Sequence, residues 1–174
     1  MINDKNSKSS EFGAPSNGRK ILGIDPGTSR IGYGLINDRP LKLIDYGVIE
    51  IKDKTNTKFL TLSEKLEELI NKSRPDAAAV EKIYFAKNQK TAIEVAQARG
   101  IILLSLLKNK IPVYEYTPQE IKLSVTNYGL ADKKAVAKLV KLLLGINELK
   151  GYDDASDALA IAITAANYQK IVGA

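Results

Sequence analysis

The sequence contains neither cysteine nor histidine. Without cysteine the chain cannot form disulfides or thiolate zinc sites, and without either residue it has no Cys–His dyad and no Ser-His-Asp triad. Any catalysis must therefore come from carboxylates, lysines, hydroxyl groups or a metal ion that prefers oxygen ligands.

Long hydrophobic runs are also missing. No stretch approaches the roughly 18 consecutive apolar residues of a transmembrane helix, and the N-terminus lacks the apolar segment of a secretory signal. We therefore expect a cytoplasmic protein without a membrane partner. Residues 1–18 are polar and aperiodic, so we interpret them as a disordered leader or an expression remnant preceding one domain at 19–174.

Positive charge is in surplus. The 174 residues include 26 Lys and Arg against 20 Asp and Glu, which gives a net charge of +6. The charges of residues 1–18 cancel, so the surplus belongs to the domain. A basic domain suggests a polyanionic partner such as a nucleic acid.

Hydrophobic periodicity predicts the element order βββαβαβααα. The first three strands are separated by short turns, which indicates an antiparallel meander, and the later strands follow helices, which indicates right-handed parallel crossovers. We therefore predict an α/β domain with a mixed five-stranded sheet. The predicted strands are 21–25, 31–36, 41–51, 77–84 and 112–116, and the predicted helices are 58–73, 88–108, one capped by Thr117, 132–144 and 153–169.

Four carboxylates stand in apolar surroundings. Asp25 ends the first strand and Glu81 the fourth, and a crossover between parallel strands would bring both to the same sheet edge. Asp154 and Asp157 are three residues apart and share one face of the last helix. Four converging carboxylates repel one another unless a cation is present, and oxygen-only ligands suit magnesium or manganese. The pattern indicates a two-metal phosphodiester-hydrolysing site.

Three of these acids also have an ordinary interpretation. Asp25 precedes Pro-Gly and could serve a turn, Asp154 could cap a helix, and Glu81 could pair with Lys82 or Lys122. The combination of two strand-end acids with an aspartate pair on an apolar helix favours the metal site.

Basic and aromatic residues flank these acids. Lys87, Lys122 and Lys133 are candidate phosphate contacts, with a solvated surface as the alternative for each. Tyr84 and Phe85 are adjacent, so in an extended segment one ring must face away from the core and could stack on a base. The helix at 88–108 carries more apolar surface than one sheet face covers, which indicates either a homodimer interface or cover by the C-terminal helices.

Four motifs together resemble the RuvC family, the bacterial Holliday-junction resolvases. The similarity extends over residues 21–168, and the motifs follow in the family's order. They are GIDPGT at 23–28 with GYG at 32–34, VEKIYFAKN at 80–88, AQARG at 96–100 and DASDALAIA at 154–162.

The resemblance implies an RNase H-like fold, a homodimer and magnesium-dependent nicking of two symmetric strands of four-way junction DNA, in recombination and repair. It implies two Mg²⁺ ions per subunit, with Mn²⁺ as a substitute, and a RuvA–RuvB branch-migration complex as a possible partner. By position, the family's four metal-binding acids match Asp25, Glu81, Asp154 and Asp157. Its two basic residues near the scissile phosphate match Lys122 and Lys133, and its base-stacking aromatic matches Tyr84.

The chain departs from the family at 126–130, where Thr-Asn-Tyr-Gly-Leu replaces a Gly-Asn-Gly-like turn. Two alternatives remain: a related RNase H-like nuclease of the YqgF type, acting on RNA precursors, and a module that binds junctions without cleaving them. The motifs at 84–88 and 97–100 favour the resolvase over the first. The presence of all four acids favours it over the second.

Overall fold

A computed structural model describes residues 18–52, 57–82, 89–149 and 153–172, with backbone alone for 89–91 and 169–172. The element order is the predicted one. The strands are β1 (Lys20–Asp25), β2 (Arg30–Asp38), β3 (Leu41–Glu50), β4 (Ala77–Glu81) and β5 (Val113–Tyr116). The helices are α1 (Lys58–Ser73), α2 (Gln89–Lys108), α3 (Pro118–Thr126), α4 (Lys133–Leu144) and α5 (Asp153–Val172).

The strands form one mixed sheet in the order β3-β2-β1-β4-β5. β2 pairs antiparallel with both β1 and β3, whereas β4 lies parallel to β1 and β5 lies parallel to β4. The predicted mixed five-stranded sheet is confirmed. Its centre is β1, which is buried almost throughout because helices cover both faces of the sheet.

Two apolar cores lie on opposite faces of the sheet. α1 and α2 cover one face through buried residues such as Leu66 and Ile102, and α3, α4 and α5 cover the other through residues such as Val140 and Leu159. Because the C-terminal helices lie on the far face, they leave the outward side of α2 uncovered.

Capping residues define where α3 and α4 begin and where α4 ends. Thr117 and Glu120 form a reciprocal capping box at the start of α3, with Pro118 in the first turn, as the sequence predicts. Asp132 caps α4 by accepting a hydrogen bond from the backbone N–H of Ala135 at 2.7 Å. Gly145 ends α4 in the left-handed conformation.

Several sequence predictions fall outside the described residues. They include most of the interpreted leader at 1–18 and the candidate DNA contacts Tyr84 and Lys87, together with Phe85. Within the described ranges, none of the helices has the combination of length and apolar composition that spanning a membrane requires.

Candidate active site

Asp25 and Glu81 lie side by side at one edge of the sheet. Parallel pairing sets Ile24 of β1 opposite Val80 of β4, and the two acids are the next residues on their strands. Both acids are half-buried, with apolar residues preceding them along each strand. The predicted meeting of the two strand ends is confirmed.

Close packing of α5 against β1 and β2 brings the aspartate pair to the same edge. A Cβ atom at Gly23 would overlap the carbonyl oxygen of Ala158, and one at Gly32 would overlap that of Asp154. Only glycine allows the helix backbone to lie this near the strands. The N-terminal end of α5, with Asp154 and Asp157, therefore lies directly over the strand ends.

A cavity of about 270 Å³ opens between these elements. Three of the four predicted acids and two of the three candidate lysines line it: Asp25, Glu81, Asp157, Lys122 and Lys133. Apolar side chains from α3, α4 and α5 form the remaining wall: Pro118, Ile121, Val136, Ala160 and Ile161. The site thus combines negative charge at its base with two lysines and a low-dielectric wall.

Asp154, the fourth predicted acid, does not line this cavity. Its Oδ2 atom lies 3.3 Å from Nε of Arg30, the first residue of β2. The same oxygen is buried and accepts no hydrogen bond from the described residues. A buried carboxylate oxygen without a hydrogen-bond donor is costly, so this atom is available to a further partner.

Ionised carboxylates are energetically unfavourable in this cavity unless a positive charge compensates them. Burial, followed by the charges of Glu81, Asp157 and Asp154, raises the pKa of Asp25 from 3.8 to about 8 against a smaller opposing effect of Lys133. Burial and Asp157 likewise raise the pKa of Glu81 to about 6, although Lys122 opposes this shift. Asp25 therefore holds its proton at neutral pH, and Glu81 takes one up in mildly acidic solution, unless a cation enters the cavity.

Lys133 neutralises part of this charge. Its Nζ atom donates to Oδ2 of Asp157 at 2.8 Å and lies 3.6 Å from Oδ2 of Asp153. Burial lowers the pKa of Lys133, but the hydrogen bond to Asp157 and the nearby aspartates outweigh it and raise the pKa overall. A metal ion that binds Asp157 would therefore have to compete with Lys133 for the carboxylate.

The acids are not gathered into one coordination shell. Across the described ranges, no group of three or more carboxylates is close enough to hold a metal ion as the side chains stand. The physical reason is that Lys133 draws Asp157 toward itself while Arg30 lies beside Asp154. The donor set nevertheless fits a hard divalent cation, because it is all oxygen, carries charge that burial penalises, and includes a buried carboxylate oxygen that accepts no hydrogen bond from the described residues.

Two arginines that sequence reasoning did not assign to the site support it. Nε of Arg99 on α2 donates to the carbonyl oxygen of Glu81 at 3.3 Å, and the same guanidinium forms an ion pair with Glu115 on β5. Arg30 is the partner of Asp154. The AQARG motif at 96–100 signals that Arg99 matters but does not reveal its contacts, because both lie more than ten residues away along the chain.

Comparison with known proteins assigns the fold and the family. The family model described as "Crossover junction endodeoxyribonuclease RuvC" matches residues 21–165. The crossover junction endodeoxyribonuclease RuvC of Petrotoga mobilis is 49% identical over 154 residues, which are 86% of this chain and 94% of the relative. The same enzyme of Caldicellulosiruptor saccharolyticus is 45% identical over 149 residues, which are 83% and 90% of the two chains.

Solved structures agree with the sequence matches. The RuvC structure from Thermus thermophilus superposes with a TM-score of 0.79 at 30% identity, over 88% of this chain and 96% of its own. The structure of that protein in complex with a Holliday junction substrate gives a TM-score of 0.81 at 29% identity, with the same coverage. The RNase H-like fold is thereby confirmed. This chain belongs to the RuvC family of crossover junction endodeoxyribonucleases.

Proposed function

We propose that this chain resolves four-way DNA junctions by paired, metal-dependent hydrolysis of one phosphodiester bond in each of two symmetric strands. The observation that best supports this proposal is the cavity lined by Asp25, Glu81, Asp157, Lys122 and Lys133. Family membership and the RuvC–Holliday junction complex from Thermus thermophilus support the substrate. The match to the RuvC model over residues 21–165 also favours this function over a YqgF-type nuclease.

Divalent-metal dependence is general in the family, and we infer that Mg²⁺ is the ion used here, two per subunit, with Mn²⁺ as a substitute. Asp25, Glu81, Asp154 and Asp157 would hold the ions. When bound, the ions would stabilise the attacking and leaving oxygens of an in-line displacement. The raised pKa values of Asp25 and Glu81 support this assignment, because a cation offsets the repulsion that opposes ionisation of these carboxyls.

The chain's own residues perform the remaining tasks. Lys122 and Lys133 face the cavity from α3 and α4 and would bind phosphates on the strand to be cut. A phosphate that takes Lys133 from Asp157 frees a carboxylate oxygen for the metal, so DNA entry and completion of the site would occur together. The apolar wall excludes water and strengthens each of these charge interactions.

Paired nicks require two active sites, and α2 supplies a surface for a second copy. Its exposed positions 93, 97, 100, 104 and 107 follow the alternating spacing of four and three residues that marks a helix–helix seam. Ile93, Leu104 and Leu107 are 63%, 59% and 63% exposed. Gly100, at the middle, has open space around it, which permits close approach of another helix. We therefore propose an isologous homodimer through α2; the RuvA–RuvB partnership stays a prediction.

A nicking assay with strand-by-strand mapping tests the function. We expect Mg²⁺ to produce symmetric paired nicks in a labelled mobile four-way junction but not in linear duplex of the same sequence. EDTA should abolish cleavage, and Ca²⁺ should support junction binding without cleavage because its looser coordination fits in-line geometry poorly. Asp25→Asn is the matched control, which should bind the junction and leave it uncut. Cleavage in EDTA, or equal cleavage of linear duplex, would contradict the proposal.

A further inference from the structure

The loop between α3 and α4, residues 127–132, carries two exposed apolar side chains where the sequence departs from the family pattern. Tyr128 is 60% exposed and Leu130 is 73% exposed. Single exposed apolar residues are common on protein surfaces and by themselves carry no function. Tyr128 and Leu130, however, lie in a hydrogen-bonded loop that connects two cavity-lining helices.

The loop is braced by its own hydrogen bonds. Oγ1 of Thr126 lies 2.8 Å from the carbonyl oxygen of Lys122 and 2.9 Å from that of Tyr128, and it accepts a hydrogen bond from the Tyr128 N–H at 3.1 Å. The N–H of Ala131 donates back to the Tyr128 carbonyl oxygen at 3.0 Å. Asn127 adopts the left-handed conformation that this residue type tolerates well. Tyr128 is therefore held outward by a defined backbone.

The loop also joins the two helices that carry the lysines of the cavity. It connects Lys122 and Lys133, both of which line the cavity. Thr126, where the bracing begins, is one helical turn after Lys122 on the same face of α3. Gly129 folds back toward Gln119, since a Cβ atom there would lie 3.1 Å from the Cγ of Gln119, the residue next to the cavity-lining Pro118. The apolar pair thus lies between the two cavity-lining lysines along the chain, on the segment that joins their helices.

We propose that Tyr128 and Leu130 form a DNA contact, packing against the deoxyribose and base surfaces of the strand whose phosphates Lys122 and Lys133 bind. This inference rests on the proposed function and extends it. Phosphates alternate with apolar sugar and base surfaces along a strand, so apolar side chains between two phosphate-binding lysines match that alternation. Rigid aromatic and aliphatic side chains are the ones that proteins place against bases and sugars.

Binding measured over a range of salt concentrations separates this contact from a charge effect. Tyr128→Ala should weaken junction binding by about five- to fifty-fold, because a contact of this kind contributes without releasing counterions. The slope of log affinity against log salt concentration should stay that of the wild type. Lys122→Ala should instead reduce the slope by about one.

Matched variants control for general surface effects. Tyr128→Phe keeps the ring and should bind as the wild type does. Leu130→Ala should weaken binding severalfold, whereas Leu142→Ala should not, although Leu142 is just as exposed, at 72%. Leu142 lies nine residues after Lys133, about 13 Å further along α4. Equal losses in the two leucine variants would overturn the proposal.

Chemical modification of the wild-type chain tests the contact independently and needs no variant. Tetranitromethane should nitrate Tyr128 in the free protein, and junction DNA in Ca²⁺ should protect it, as measured by peptide mass spectrometry. Unchanged nitration in the complex, or Tyr128→Ala binding at wild-type affinity, would overturn the contact while wild-type cleavage leaves the proposed function intact. If the wild type neither binds nor cuts junctions, the proposed function itself fails.

Discussion

Replacing Asp25 by asparagine should stabilise the metal-free protein at neutral pH. The carboxyl ionises with a pKa of about 8 in the folded chain, against the ordinary value of 3.8 that applies in the unfolded chain. Below pH 3.8 it is protonated in both states and has no effect on stability. As the pH rises toward 8, only the unfolded chain releases the proton, so stability is lost across that window. Asparagine has no proton to release, and the variant avoids the loss.

The magnitude follows from 1.36 kcal/mol per pKa unit. Over the two pH units from 5 to 7, the free energy of unfolding of the variant should rise relative to the wild type by up to about 2.7 kcal/mol. This figure is an upper bound, because water entering the cavity relieves part of the repulsion when the carboxyl ionises. The neighbouring Glu81 titrates in both proteins, so its contribution largely cancels in the difference.

Urea denaturation in EDTA at pH 5 and pH 7 measures this difference. Asp45→Asn is the matched control, because Asp45 pairs with Lys72 at 3.4 Å on the surface, away from the cavity, and should show no gain that grows with pH. Adding millimolar Mg²⁺ at pH 7 should reverse the order, stabilising the wild type but not Asp25→Asn. A variant that is less stable than the wild type at pH 7 in EDTA, or a difference independent of pH, would refute the reasoning.

Three further perturbations test the dimer, the support of Glu81 and the packing of α5. Leu104→Asp should yield monomers by sedimentation and abolish paired nicking; a variant that stays dimeric would contradict the α2 interface. Arg99→Met should leave junction affinity unchanged. It should raise severalfold the Mg²⁺ concentration needed for half-maximal cleavage, and also the concentration at which Mg²⁺ raises the unfolding temperature. Its control is Lys58→Met, which removes the 2.9 Å ion pair joining α1 to α2, and equal effects of the two would mean that Arg99 only holds α2 in place. Gly32→Ala should lower the free energy of unfolding by about 1–3 kcal/mol, because its methyl group would meet the carbonyl oxygen of Asp154; an unchanged urea midpoint would contradict this.

The sheet edge where Asp25 and Glu81 meet could be predicted because it depends on local pattern and one topological rule. Short apolar runs define the strands, a helix between two strands makes them parallel, and parallel neighbours end at the same edge. The helix ends at Thr117 and Gly145 were predictable for the same reason, since caps are encoded within a few residues.

The partners of the charged groups could not be predicted in this way. Arg99 reaches Glu81 across 18 residues, and Arg30 reaches Asp154 from the opposite end of the chain. Such pairings depend on side-chain directions after packing, which periodicity does not encode. The sequence therefore predicted one site with four acids, and only the structure shows that three of them line the cavity while Asp154 lies beside an arginine.

The role of the strand glycines was also invisible in the sequence. Gly23 and Gly32 interrupt strands that are otherwise apolar, and glycine is unfavourable there unless another backbone approaches. Only the packing of α5 shows that the helix is that backbone and that its aspartates depend on the contact.

Crystals of the wild-type protein soaked in Mn²⁺ test the central claim most directly, because anomalous scattering locates the ion without reference to activity. We predict anomalous peaks in the cavity, in contact with Asp25 and Glu81, with Lys133 withdrawn from Asp157. Asp25→Asn crystals treated in the same way should lose at least one peak. An active wild type whose Mn²⁺ ions lie elsewhere, with Lys133 still bound to Asp157, would contradict the assignment of these acids as the metal site.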